Sequence, residues 1–200
     1  MSTRVPARDR LLAAADELFY EEGVHTVGID RVIEKAGVAK ATLYSAFGSK
    51  DALVRAYLTG RHERRKERIT ARLATCGDPR ERLLAVFDLL GETLAQPGFH
   101  GCAFVNASAE SGPGSGAEQA TVEYRAWTRE LFTGLARDAG APDPAALAHQ
   151  LQLLYDGANI SARLDHGSPG PASSSAPSAP SAAVSARAAA AALLDAAIAR

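Results

Sequence analysis

Apolar residues recur at intervals of three and four along most of the chain, and this spacing constrains the fold more than any other feature. Residues 83, 87, 90 and 94 are Leu, Phe, Leu and Leu. Such a repeat places the apolar side chains on one face of an α-helix. Similar stripes run from Leu11 to Phe19 and from Leu147 to Ala158, and no segment alternates as a strand does. The pattern predicts an all-α fold.

Glycine and proline divide these stripes into separate helices. Asp78 and Asp143 each precede a proline, which is typical of a helix N-cap followed by the first helical residue, and Ser49 is predicted to cap another helix. The run 167–186 is rich in proline, serine and alanine and carries no charge, so it predicts a flexible linker. A last helix is expected over Arg187–Arg200.

Charge and cysteine content narrow the class of protein. The net charge of −1 combines a net charge of +3 in residues 1–70 with a net charge of −4 in residues 71–200. A basic N-terminal part is compatible with a phosphate-bearing partner, although a solvated charged face explains it equally well. Cys76 and Cys102 have no metal-ligand spacing, the first ten residues are polar, and no apolar run approaches the ~20 residues of a membrane span. These features predict a reduced cytoplasmic protein without a membrane partner.

The segment Gly28–Leu53 predicts a helix-turn-helix. Two short helices meet at Gly37, where a glycine suits a tight turn because it readily adopts a positive φ. Their inward-facing residues would be Ile29, Val32, Ile33 and Ala36 in the first helix, and Val38, Leu43 and Phe47 in the second. The outward side of the second helix would then fit the major groove of B-DNA.

This segment resembles the TetR family of repressors. The resemblance covers about residues 8–55 and rests on the following residues: the Leu11–Phe19 helix, Glu22-Gly23, Ala36-Gly37-Val38, Thr42-Leu43-Tyr44, Phe47 and Ser49-Lys50-Asp51-Ala52-Leu53. It implies a bacterial all-α homodimer with two domains. Residues 1–53 would form a three-helix DNA-binding domain, and residues 54–200 would form a helical domain for effector binding and dimerisation.

The resemblance also implies roles for individual residues. The expected DNA-binding residues are Gly28, Lys40, Ala41, Thr42, Tyr44, Ser45 and Lys50. Tyr44 and Lys50 would contact phosphates, although outside this motif Tyr44 would be read as a packing residue and Lys50 as a solvated lysine. Gly28 stands where many members place a Ser or Thr that caps the second helix and touches phosphate, and it offers only its backbone N–H. Ala46 stands where His is common, so one DNA contact of the family is missing. Arg4 and Arg8 fit either a DNA-binding arm or an ordinary disordered terminus.

A ligand cavity in the C-terminal part is also implied. Its candidate residues are Phe87, Phe104, Asn106, Glu110, Trp127, Tyr155 and Asn159, and the alternative for each is an ordinary core position. Cys102 is expected to be a small buried residue, with a redox switch as the alternative. No metal site, cofactor or catalytic residue is expected, because the chain contains no nucleophile elbow, phosphate loop or metal motif.

These observations together predict a DNA-binding transcriptional regulator. The expected partners are a palindromic double-stranded operator, a small-molecule effector and a second copy of the chain. Release of a repressor from its operator by the effector is the preferred mechanism. An activator or a cysteine redox sensor with the same fold remains an alternative, and an enzyme is not favoured.

Overall fold

A computed structural model describes residues 5–165 and 181–199 of the chain. The described residues contain helices and no strand, which confirms the predicted all-α class. The helices are α1 (Ala7–Glu22), α2 (Ile29–Ala36), α3 (Lys40–Phe47), α4 (Lys50–Leu73), α5 (Pro79–Leu94), α6 (Ala103–Ala109), α7 (Gly116–Asp138), α8 (Pro144–Asp165) and α9 (Ala182–Ile198).

Three helix starts follow directly from local sequence. Side-chain oxygens of Ser49, Asp78 and Asp143 each accept a hydrogen bond from the backbone N–H three residues later, at 3.0, 2.9 and 3.0 Å. Each bond satisfies one of the N–H groups that a helix leaves unpaired at its start. The predicted caps of α4, α5 and α8 are therefore confirmed.

The last helix begins earlier than the sequence predicted. α9 starts at Ala182, inside the run 167–186 that was assigned as linker, and Ser181 caps it by accepting a hydrogen bond from the Val184 N–H at 3.4 Å. The composition of 182–186 is mainly alanine without proline, and alanine favours the helix once a cap is available. The linker assignment is thus wrong for 182–186, and residues 167–180 lie outside the described residues.

The chain divides into two compact units. Unit 1 comprises Met1–Arg65 with Cys102–Tyr124, and unit 2 comprises Lys66–Gly101 with Arg125–Arg200. α4 and α7 each contribute residues to both units. The predicted boundary after residue 53 separates functions rather than compact units, and it stays a prediction.

In unit 1, α1, α2 and α3 pack around a small apolar core. Leu11, Val32 and Leu43 are fully buried, one from each helix. The predicted α1 stripe of Leu11, Ala15, Leu18 and Phe19 is buried throughout. Because α2 and α3 have only eight residues each, this packing rather than intrinsic helix propensity must hold them in place.

In unit 2, α5, α8 and α9 pack around a larger core. The stripe 83–94 on α5 is buried as predicted, and its Phe87 contacts the rings of Phe132 and Tyr155. α9 buries Ala186, Ala190 and Leu194 at four-residue spacing. Small side chains bring α9 close to α5, since a Cβ placed on Gly91 would lie 3.3 Å from the Ala183 Cβ.

None of the helices within 5–165 and 181–199 combines the length and apolar character needed to cross a membrane.

Candidate DNA-binding surface

The turn between α2 and α3 depends on Gly37. This residue has φ 61° and ψ 47°, the left-handed conformation that residues other than glycine disfavour. Its N–H donates to the Glu34 carbonyl, and the Val38 N–H donates to the Ile33 carbonyl, both at 3.1 Å. These bonds end α2 and turn the chain into α3, which confirms the predicted helix-turn-helix.

Arg10 on α1 stabilises this turn from the outside. Its guanidinium Nη1 donates to the Ala36 carbonyl at 2.8 Å and to the Gly37 carbonyl at 3.1 Å. A cation at these carbonyls also interacts favourably with the C-terminal end of the α2 dipole. Sequence analysis did not identify Arg10, because 26 residues separate it from Ala36 and no local pattern links the two.

α3 has one buried side and one open side. Leu43 is fully buried, whereas Lys40, Ala41, Tyr44 and Ser45 are exposed. Thr42 is half-buried at the edge of the open side. Tyr44 leaves 45% of its surface exposed, so its ring and hydroxyl are open to a partner. Five of the seven expected DNA-binding residues therefore lie together on α3.

The other two expected residues lie at the ends of neighbouring helices. Gly28 is the N-cap of α2 in an extended conformation, and as a glycine it has no side chain with which to cap the helix. Lys50 is the first residue of α4. Both positions lie beside backbone N–H groups that a helix leaves unpaired, and such groups attract anions.

Lys50 borders a groove of about 280 Å³ in unit 1. The groove is lined by Lys50 with Val24, His25, Asp51, Val54, Glu110 and Ser111. Partial burial there lowers the pKa of the Lys50 ammonium from its usual value, while the charge of the Glu110 carboxylate acts in the opposite direction. Lys50 is therefore a partly desolvated cation that lies in the field of a carboxylate.

Two carboxylates that line this groove accept hydrogen bonds from backbone N–H groups. Glu110 Oε2 accepts from the His25 N–H at 2.8 Å, and the Asp51 carboxylate accepts from the Gly116 N–H at 2.9 and 3.0 Å. The Glu110 carboxylate also lies against Gly23, where a Cβ would come within 2.8 Å of Oε2. Glu110 was predicted as a ligand candidate, and in the structure it is bonded to the chain just after α1.

The remaining ligand candidates fall in both units. In unit 1, Phe104 stacks on Tyr124 with ring centroids 4.0 Å apart, and Asn106 is half-buried. In unit 2, Phe87 and Tyr155 are buried in one aromatic cluster, and Trp127 packs at the edge of the same core. Each of these positions stays a prediction as a ligand contact.

Asn159 is the most unusual of these candidates. It is 2% exposed, and its Nδ2 donates to the Tyr155 carbonyl at 2.8 Å. Its Oδ1 is buried without a hydrogen-bond partner within the described structure. A buried acceptor without a donor costs free energy, so such positions call for a physical explanation.

Two comparisons decide the family. The family model described as bacterial regulatory proteins, tetR family, matches residues 11–57, which contain α1 to α3 and the start of α4. A TetR-family transcriptional regulator from Streptomyces coelicolor shares 31% sequence identity, with 96% of each chain covered and a TM-score of 0.83. The chain belongs to the tetR family of bacterial regulatory proteins.

Curated relatives of this TetR-family regulator include both an activator and a repressor of transcription. The transcriptional activator FasR of Mycolicibacterium smegmatis is 30% identical over 150 residues, covering 75% of this chain and 66% of that protein. The transcriptional repressor NemR of Escherichia coli is 27% identical over 172 residues, covering 81% of this chain and 86% of that protein. The alignment with an uncharacterised regulator of Mycobacterium tuberculosis spans only 39% of that protein. The chain is thus a helix-turn-helix transcriptional regulator.

Proposed function

We propose that this TetR-family regulator is a repressor that binds a palindromic operator as a homodimer and leaves it when a small molecule binds. The observation that carries the proposal is the division of α3 into two sides. Leu43 anchors the helix in the core, while polar and aromatic side chains remain open on the other side. A helix held in this way can enter the major groove without disturbing its own domain.

Each expected DNA-binding residue of α3 has a contact that suits its chemistry. Lys40 can donate to acceptors on guanine or to phosphate, and Thr42 and Ser45 can donate or accept at several bases. Ala41 offers a methyl group for contact with a thymine methyl. The Tyr44 hydroxyl and the Lys50 ammonium are suited to phosphates on either side of the groove, which fix the register of the protein on DNA.

An exposed apolar stripe on α8 and α9 supports dimerisation. Leu153, Ile160 and Leu164 are 57%, 47% and 68% exposed, and their spacing places them on one face of α8. Val184 and Ile198 add exposed apolar surface on α9. Exposed apolar side chains grouped on one helix face are typical of an interface, and a two-fold dimer presents two α3 helices to the two halves of a palindrome.

Effector binding is proposed for the aromatic core of unit 2. Phe87, Tyr155 and Trp127 offer apolar and aromatic surface, and the unpartnered Asn159 Oδ1 offers one acceptor for a donor group of a ligand. Phe104, Asn106 and Glu110 are the corresponding candidates in unit 1. The effector must bind the state that leaves DNA more tightly than the state that holds it, since equal affinity would shift nothing.

The proposal includes repression, rather than activation, of the bound promoter. FasR is named an activator and NemR a repressor, so relatives of both kinds exist. Whether such a regulator represses or activates depends on where the operator lies relative to the promoter. A reporter fused to the bound promoter would be expected to rise when the gene for this regulator is deleted, and a fall would indicate activation.

The test of DNA binding is a gel shift over a salt series. The probes are a duplex from the region upstream of the protein's own gene and a random duplex of equal length. We expect wild-type protein to prefer the upstream duplex as a dimer. Lys50→Ala should weaken binding about tenfold and reduce the salt slope by about 0.9 for each lost phosphate contact. Tyr44→Phe should weaken binding by a smaller factor, about threefold, because it removes one hydroxyl.

The matched control is Arg137→Ala, which removes an exposed cation in the last turn of α7. Its binding and salt slope should equal those of the wild type. Equal affinity for the upstream and random duplexes, with Lys50→Ala and Tyr44→Phe indistinguishable from wild type, would count against operator binding by this surface.

A further inference from the structure

Three cations on α2 and α3 form ion pairs, and one of these pairs differs from the other two. Arg31 pairs with Glu22, and Lys35 pairs with Glu17, so both cations tie α2 to carboxylates of α1. Lys40 instead pairs with Asp30, at 3.0 Å from Nζ to Oδ1. This third pair joins the first residue of α3 to the first turn of α2, inside the helix-turn-helix itself.

The Asp30–Lys40 pair is also the most open of the three. The side chains of Asp30 and Lys40 are 76% and 54% exposed, whereas the carboxylate partner of Arg31 is only 29% exposed. An exposed pair adds little to folding stability, because both groups are well hydrated when separated. Folding stability therefore gives little reason for a carboxylate at this position.

The position of Asp30 matters for DNA. It lies in the first turn of α2, two residues after Gly28, which is one of the expected DNA-binding residues. The inference rests on the proposed function. A carboxylate there offsets the charge of the nearest cation, the Lys40 ammonium. The hydrogen bond and charge of Asp30 raise the pKa of Lys40, in agreement with the ion pair between the two side chains.

We infer that Asp30 is a selectivity determinant that withholds Lys40 from non-specific phosphate contacts. Non-specific affinity comes almost entirely from cations that release counterions from the DNA backbone. A paired Lys40 contributes little to that term. On the operator, the same pair keeps the Lys40 side chain over the open side of α3, close to the base edges that this helix is proposed to read. Asp30 acts through Lys40 and is a positioning residue.

The experiment uses full-length protein and a labelled random-sequence duplex of about 21 base pairs, two helical turns. Affinity is measured by fluorescence anisotropy between about 50 and 200 mM KCl. Asp30→Asn is compared with Glu34→Gln, which removes an equal charge from an exposed position at the other end of α2. The comparison separates release of Lys40 from the general effect of one fewer negative charge.

We expect Asp30→Asn to bind the random duplex about two- to fivefold more tightly than Glu34→Gln, the range typical of an exposed ion pair. Its salt slope should be steeper by about 0.9 for each subunit in contact. Asp30→Glu should restore wild-type behaviour. On the upstream duplex, Asp30→Asn should gain less, because Lys40 also loses its orientation. The preference for that duplex over random DNA should therefore fall.

A Lys40→Ala background completes the test. There, Asp30→Asn and Glu34→Gln should give equal affinities and equal salt slopes, because no Lys40 remains to be released. Equal behaviour of the two variants in the wild-type background would overturn the inference, and so would a difference that survives in Lys40→Ala. Failure of wild-type protein to bind either duplex at the lowest salt would instead overturn the proposed function, and this inference with it.

Discussion

The two compact units differ mainly in the size of their apolar cores. In unit 1, charged side chains bond to backbone groups or to each other at several defined points, among them Arg10 at the end of α2 and Arg61 at Asp16. Unit 2 also has ion pairs, among them Arg125–Asp156 and Arg187–Asp88, but it adds a larger core of aromatic rings and alanine-rich helices. Unit 1 thus relies on directional hydrogen bonds around a small core, and unit 2 adds a large apolar core to its ion pairs.

This difference suits the proposed roles of the two units. A domain that must present α3 to DNA gains orientation from directional hydrogen bonds, since these restrict angles as well as distances. A core that accommodates an effector needs apolar surface, which tolerates ligands of varied shape. The contrast also predicts how each unit responds to substitution, salt and pH.

The largest effect is expected in the aromatic cluster of unit 2. Phe132 is fully buried, with its ring centroid 5.7 Å from that of Phe87 and 5.9 Å from that of Tyr155. Phe132→Ala should lower the free energy of unfolding by about 3–5 kcal/mol, because it leaves a cavity among rings. Urea unfolding followed by circular dichroism measures the loss.

Phe132→Leu is the matched control for volume, and it should cost less than about 1.5 kcal/mol. Both losses should be the same at low and at high salt. A loss from Phe132→Ala that is smaller than about 1 kcal/mol would mean that unit 2 can collapse around the missing ring.

A smaller, salt-dependent effect is expected at Arg61 in unit 1. Its Nε and Nη2 donate to the two Asp16 oxygens at 3.0 and 3.1 Å, and its guanidinium lies 3.7 Å from the Tyr20 ring centroid. Arg61→Met keeps much of the side-chain volume but removes both hydrogen bonds. The free energy of unfolding should fall by about 1–2 kcal/mol at low salt and by less at high salt.

Arg64 provides a control on the same carboxylate. It donates to Asp16 at 2.6 Å, but its side chain is 56% exposed. Arg64→Met should therefore cost no more than about 0.5 kcal/mol. Equal losses for the two arginines would show that burial and ring contact add nothing to the Arg61 interaction.

Sequence reasoning identified the features of unit 1 that are local. Gly37, the Ser49 cap and the apolar stripe of α1 depend on residues within one or two helical turns, and all three are found as predicted. Arg10 and Asp30 were not identified, because the atoms they bond lie 26 and 10 residues away. Their partners become neighbours only after α1, α2 and α3 have packed.

In unit 2 the helices could be predicted from the sequence, but the roles of their apolar residues could not. Apolar spacing and the Asp143 cap indicated α8, yet the same spacing does not separate core residues from ligand contacts. The start of α9 was missed because composition alone assigned 182–186 to the linker. Ala183 packs against Gly91 on α5, and this contact between distant segments has no local signal in the sequence.

The smallest effect expected is a pH dependence at the exposed end of unit 2. Arg80 on α5 holds Asp195 on α9 through two hydrogen bonds, at 3.0 and 2.9 Å. The hydrogen bond from Arg80 lowers the pKa of Asp195 below its usual value of 3.8. A carboxyl group with a lowered pKa in the folded state adds stability above its unfolded pKa, and it loses that contribution as the pH falls through the folded value.

The loss of this contribution should therefore begin near pH 4 and continue below it. Comparison of unfolding curves of wild type and Asp195→Asn at pH 7 and at pH 3 isolates it: the wild type should lose its small advantage over the variant at the lower pH. Glu130→Gln, an exposed substitution on α7 with the same charge change, should show no such convergence. A constant difference between wild type and Asp195→Asn at both pH values would mean that the ion pair does not distinguish the folded from the unfolded chain. In that case α9 is held on α5 by apolar packing and by the Arg187–Asp88 ion pair, without a contribution from the Arg80–Asp195 pair.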